Sequence, residues 1–134
     1  MTPMPRFIGG KLIGSSWGLV TVDPSTQTGD ASETAYLRPS LSRPNLFVYQ
    51  STLAKKILFD ANKNAVGPLL NTAGKAYQLS ASKEVIVSGG ASQSPQLLIV
   101  SGIGPAATLN KFGIPVIAER PGVGQEMWVS YEVP

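Results

Sequence analysis

Residues 84–117 read EVIVSGGASQSPQLLIVSGIGPAATLNKFGIPVI, and this run of apolar segments punctuated by glycine and proline limits the fold more than any other stretch. Val85, Ile86 and Val87 are consecutive and β-branched, the composition of a short strand covered on both faces. Gly89 and Gly90 end it. Ser94 offers an N-cap and Pro95 a first helical residue whose missing N–H is not needed there. The pattern predicts a helix over 95–100, apolar nearly all round, with Leu97, Leu98, Ile99 and Val100 buried between layers. Gly102 is its C-terminal glycine. Gly104-Pro105 then starts a second helix with Ala106, Leu109 and Phe112 on one face, Asn110 and Lys111 outward, and Gly113 as its stop. A return strand over 114–118 leads to the turn Arg120-Pro121-Gly122. Strand, glycine turn, buried helix and return strand make an α/β layered arrangement.

Upstream, the apolar segments are short and β-compatible, as in a meander. LFVYQ (46–50), AKKILFD (54–60), AVGPLL (65–70) and GKAYQLSA (74–81) predict four strands, with a turn at residues 71–74, and EVIVS is the fifth. Pro68 has no N–H for a ladder and predicts an edge or a bulge for its strand. Residues 1–44 are rich in loop formers. They predict a strand near 18–22, then a capping box of Asp30 and Glu33 that starts a helix through Ala35 and Leu37, soon broken by Pro39. The chain thus divides into a loop-rich segment with one short helix, 1–44, and an α/β portion, 45–134.

The residue inventory narrows the chemistry. The 134 residues contain no cysteine and no histidine, which removes thiolate catalysis and disulfides and weighs against self-contained acid–base or zinc chemistry. No metal site is expected. The formal charge of +3 is scattered, with Lys55-Lys56 the one adjacent basic pair, so no nucleic-acid partner is expected. Apolar runs end after about four residues, far short of the roughly 18 needed to span a membrane, and no membrane partner is expected. The N-terminus lacks a signal-peptide apolar core, which reads as an intracellular chain or an internal piece.

Several motifs have a plain structural reading beside a functional one. GGKLIGSSWG, residues 9–18, invites a phosphate loop, but Lys11 is followed by Leu12 rather than Ser or Thr, so a flexible loop is expected. Glu33, Asp60 and Glu84 fall in cap, turn and strand-start contexts and are expected to be structural carboxylates. Trp17 and Trp128 are expected to pack rather than to stack on a ligand. Gly89-Gly90 remains open between a tight strand-to-helix turn and a place where a ligand approaches the backbone at the carboxyl end of a strand.

Residues 90–104, GASQSPQLLIVSGIG, resemble the second signature of the glucose-methanol-choline (GMC) oxidoreductases, flavoproteins that use FAD. The segments SETAYLRPSLSRPNLFVYQ, AKKILFD, KEVIVSGG, LNKFGIPVI and RPGVGQ follow the family's order, so the resemblance covers about residues 13–127 and is similar to fungal members of the aryl-alcohol oxidase and dehydrogenase type. It implies a partial, Rossmann-like FAD/NAD(P)-binding α/β domain with a β-meander and two short helices, lacking the N-terminal nucleotide-binding βαβ. It further implies FAD as cofactor and a small-molecule alcohol as substrate. By the same resemblance Ala54 meets the adenine through its backbone, and Ser88, Gly89, Gly90 and Ala91 face the adenosine and ribose. The family's Gly-x-Gly-x-x-Gly and its C-terminal catalytic histidine have no counterpart among these residues, and Glu126 to Ser130 stand where Asn-x-x-Asp-His is usual. No catalytic residue is therefore assigned, and the chain is expected to be inactive alone. The other expectation is a non-catalytic product of a truncated gene or an interaction module.

Overall fold

The computed structural model describes residues 20–127. The glycine-rich segment at 9–18, the beginning of the strand expected near 18–22, Trp17 and Trp128 lie outside these residues. The chain divides into two units, Met1–Val48 and Tyr49–Pro134.

In the first unit, β1 (Val22–Asp23) pairs antiparallel with β2 (Thr28–Gly29). A π-helical turn, Glu33–Leu37, then runs into α1, Arg38–Ser40. The expected capping box does not form. Asp30 accepts from the Ala31 N–H and the Thr34 hydroxyl, while Glu33 pairs with Arg38 at 2.6 Å. The i→i+5 repeat of a π-helix stacks residues 33 and 38, which explains the exchange. Pro39 does not interrupt the helix at once but lies within α1, near its start, where its absent N–H is tolerated.

The second unit contains a three-stranded antiparallel sheet in the order β3-β4-β5, formed by Thr52–Phe59, Ala65–Thr72 and Lys75–Gln78. The β3–β4 loop is built on Asp60, whose carboxylate accepts from Asn62 N at 2.9 Å, Asn64 N at 2.8 Å and Asn64 Nδ2 at 3.0 Å. The β4–β5 hairpin turns through Ala73 and Gly74, both at positive φ, the backbone of a two-residue type I′ turn. Pro68 lies in β4, the middle strand, rather than on an edge. Its facing explains how: Pro68 turns away from β3, so that ladder asks no N–H of it, and on the other side, where the regular register ends at Leu69↔Gln78, it keeps a single bond, from Leu79 N–H to its carbonyl at 3.3 Å. The adjoining Gly67 is required by close approach, since a Cβ there would lie 1.9 Å from the carbonyl oxygen of Leu79.

Two further expectations change. Residues 46–50 form no strand, and neither do residues 84–88. In the latter Val85 and Val87 are half-buried but Ile86 is 77% exposed, so the segment is covered on one face and no described residue pairs with its backbone. Burial alternates along it as in a strand covered on one face, not on both as its consecutive apolar residues predict, and a ladder needs neighbours that the described residues do not supply.

The helix following the double glycine is longer than predicted. α2 spans Gly90–Val100 with Gly89 as N-cap, so Pro95 sits inside it and offers Ala91 O no N–H. Ser94 is not the N-cap; its Oγ instead accepts from Gly89 N at 2.9 Å, tying the helix start together. α2 packs on β3 and on β6 (Ile103–Gly104). Its apolar residues 97–99 are half-buried and Val100 is 40% exposed, rather than sandwiched between two layers. β6 runs parallel to β7 (Ala118–Glu119) across the crossover helix α3 (Ala106–Lys111), a small βαβ unit. The return strand is thus shorter and later than 114–118. Leu109 is fully buried, but Phe112 is 67% exposed, because α3 ends at Lys111 and Phe112 leaves the helical repeat.

Ser101 joins helix to sheet. This buried hydroxyl donates to Leu97 O at 2.6 Å and accepts from Ile57 N at 2.8 Å. Next to it Gly102 takes φ +90 as the residue after the C-cap, and a Cβ there would meet Pro115 O at 2.6 Å.

Replacing Ser101 by Ala leaves the Ile57 N–H buried without an acceptor, so Ser101→Ala is expected to destabilise the chain by about 1–3 kcal/mol, read as a lower urea midpoint at unchanged slope. Asp60 gives a pH prediction. Hydrogen bonds from Asn64, side chain first and backbone second, hold its carboxyl below the ordinary carboxylate range. A depressed folded-state pKa means stability that is present above the unfolded value and lost as pH falls through the folded one. The urea midpoint of Asp60→Asn is therefore expected to fall less than that of the parent on acidification below about pH 4.

Candidate functional site

The site is built on the open edge of β3. With the order β3-β4-β5 one side of β3 has no ladder partner among the described residues, and alternate residues aim their N–H and C=O groups away from the sheet. The register tells which. Pro68 turns its carbonyl away from β3, accepting from Leu79 N at 3.3 Å, so its partner Ile57 faces outward, and its N–H reaches Ser101 Oγ. Leu70, two residues further along β4, has the same facing, and its partner is Ala54. Ala54 therefore directs both backbone groups to the open side, and Thr52, opposite Thr72, does likewise. Between Ala54 and Ile57 the register shifts, Ala54↔Leu70 being followed by Lys56↔Leu69, so Lys55 is the extra residue of a β-bulge.

A cleft of about 460 Å³ lies along this edge. β3 contributes Thr52, Leu53, Ala54 and Lys55, and the facing wall is Gly89 with Gln93, Gln96, Leu97 and Val100 of α2. The longer helix adds Gln93 to Gln96, three residues apart on one face. Of the residues singled out from sequence, Ala54 and Gly89 meet in this cleft. Ser88, Gly90 and Ala91 stand beside it, outside its lining, with Gly90 at φ +81. Thr52, Leu53, Lys55, Gln93 and Gln96 are lining residues that sequence reasoning did not single out for a site. The pairing of Gln93 with Gln96 was hidden by the expected helix start at Pro95, which leaves Gln93 outside, and Thr52 by a strand start placed two residues late.

Among the described residues the lining holds one ionisable side chain, Lys55, and no carboxylate. Free backbone donor and acceptor on one residue, a glycine opposite and amide side chains make a binding surface rather than a proton-transfer centre. The donor set fits a flat heterocycle with adjacent acceptor and donor, as at the adenine end of a dinucleotide. Glu33 and Asp60 are occupied in the ion pair and the loop described above, and the described residues contain no cluster of metal-ligating side chains. Nor is any described helix long and apolar enough to cross a membrane.

A helix begun by paired glycines against a sheet edge, followed by a small βαβ, makes a mixed α/β arrangement. Comparison with known proteins makes this specific. Residues 6–131 match the family model described as GMC oxidoreductase. Patulin synthases from Aspergillus clavatus and Penicillium expansum are each 55% identical over 121 residues, which are 90% of this chain and 19% of each relative. Among solved structures, an FAD-dependent oxidoreductase from Chaetomium thermophilum superposes with a TM-score of 0.67 at 38% identity, over 75% of this chain and 18% of that one. The chain belongs to the GMC oxidoreductase family, and it spans about a fifth of the length of these relatives.

Proposed function

We propose that this chain supplies the adenosine-side wall of an FAD site in an oxidoreductase acting on a small-molecule alcohol, the contribution coming from residues 45–134. The observation that supports it is the cleft in which the open backbone of Ala54 faces Gly89. FAD, when bound, supplies the electron acceptor. The chain's own residues bind and orient: Ala54 offers N–H and C=O to the adenine edge, Gly89 leaves room for a ribose to approach, and Ser88, Gly90 and Ala91 continue that wall. Gln93 and Gln96 provide adaptable polar contacts, and Leu97 with Val100 forms an apolar floor. Kinship with the patulin synthases and with an FAD-dependent oxidoreductase supports both cofactor and reaction class.

Titration of FAD into the purified chain, followed by flavin fluorescence, tests the reading, with AMP as competitor for the adenine end. AMP is expected to displace FAD. Ala54→Pro removes the outward N–H without breaking the ladder, since that group faces the open side, and is expected to weaken both ligands by about 5- to 100-fold. FAD binding that AMP does not affect, or no binding of either, overturns the proposal.

A further inference from the structure

The first unit carries an Asp–Pro peptide bond in the turn between β1 and β2. Asp23 closes β1, and Pro24, Ser25, Thr26 and Gln27 are exposed to water. Asp23 Oδ1 accepts from the Ser25 N–H at 2.8 Å and from the Ser25 hydroxyl at 2.7 Å, while the carbonyl oxygen of Asp23 accepts from the Gln27 N–H at 2.8 Å. Gln27, at φ +54, turns that N–H back toward the start of the turn. Hydrogen bonds from Ser25, side chain first and backbone second, hold the Asp23 carboxyl below the ordinary carboxylate range, so the group is stabilised as an anion whose lone pairs are already engaged.

The parts of a peptide-cleaving arrangement meet on this one bond. An aspartate carboxylate is a nucleophile, and attack by that of Asp23 on its own carbonyl carbon closes a cyclic anhydride. The carbonyl oxygen that gains negative charge in the attack already holds a backbone N–H donor, as an oxyanion requires. The leaving nitrogen belongs to proline, which departs as a basic secondary amine. We propose that the Asp23–Pro24 bond is a self-cleavage site held latent by Ser25. A lone pair of the Asp23 carboxylate adds to the Asp23 carbonyl carbon and a C–O bond forms; the C–N bond to Pro24 breaks, its electron pair passing to the Pro24 nitrogen, which takes a proton from solvent. Water then opens the anhydride, leaving Asp23 with free α- and β-carboxyl groups and Pro24 as a new amino terminus. One water is consumed, and nothing is oxidised or reduced. The Gln27 N–H supports the oxyanion. Ser25 opposes the attack, because its donors bind the attacking group at rest and must be given up before the oxygen reaches the carbonyl carbon. Asp23 is thus the nucleophile and Ser25 a positioning residue that restrains it.

The test follows the full chain and its pieces, residues 1–23 and 24–134, by mass spectrometry during incubation in mildly acidic buffer, with and without urea. The folded parent is expected to be cut slowly. Ser25→Ala removes the hydroxyl donor and is expected to be cut about three- to tenfold faster than the folded parent, and faster than either chain in urea, where the Gln27 contact is lost. Ser25→Thr restores a hydroxyl and is expected to return to the parental rate. Asp23→Ala and Pro24→Ala are expected to stay whole at this position. The proposal is overturned if Ser25→Ala is not cut, is cut no faster than the folded parent, or is cut no faster than in urea, as simple loss of the turn would give. Cutting after residue 23 in Asp23→Ala overturns it as well.

Discussion

One buried hydroxyl sets the relation between helix and sheet in the second unit. Ser101 terminates α2 by bonding back to Leu97 O and in the same place accepts the outward N–H of Ile57. Both partners are backbone, so the bond fixes main chain to main chain across 44 residues of sequence. The distance between the open edge of β3 and the face of α2 follows from it, and with that distance the width of the cleft. Gly102 must come next, because the chain turns there at positive φ against the Pro115 carbonyl, leaving no freedom to relax the junction from the other side.

A site of this kind depends little on side-chain identity. Its donors and acceptors are main-chain groups left over by an edge strand, and the facing residue is a glycine. What has to be preserved is phase: which residues of β3 face out, and where α2 begins. The motif at residues 90–104 serves this arrangement mainly as scaffold: its small and apolar residues set the helix in place and bring Gln93 and Gln96 to the cleft wall, while the β3 edge presents main-chain groups that every residue but proline possesses.

The same reasoning marks what was legible in the sequence. Gly102, Gly113 and Leu109 could be placed from sequence because their roles are local, a helix stop or an apolar face within one or two turns. Ala54 and Gly89 were reachable through the family resemblance. Pro68 and Lys55 were not, since the tolerance of one and the bulge at the other are properties of pairing with strands that begin or end elsewhere. Residues 84–88 show the converse: their composition is that of a strand, yet strand formation is a relation between segments, and the described residues hold no partner for it. α2 started early for a similar reason, Ser94 serving Gly89 from within the helix instead of standing before it.

The bulge at Lys55 also accounts for a detail of composition. In a regular strand two neighbouring side chains point to opposite faces, so one of two adjacent lysines would be driven toward the side of Ile57 and Leu70, which are buried. With Lys55 as the extra residue, Lys55 and Lys56 fall on the same outer face, and both are exposed. It follows that β3 can lose one lysine and straighten while Ala54 and Thr52 keep their aspect. Deleting Leu53, two residues upstream, would invert Thr52 and turn it away from Thr72. Length variation in this strand is therefore permitted at the lysine pair and forbidden just before it.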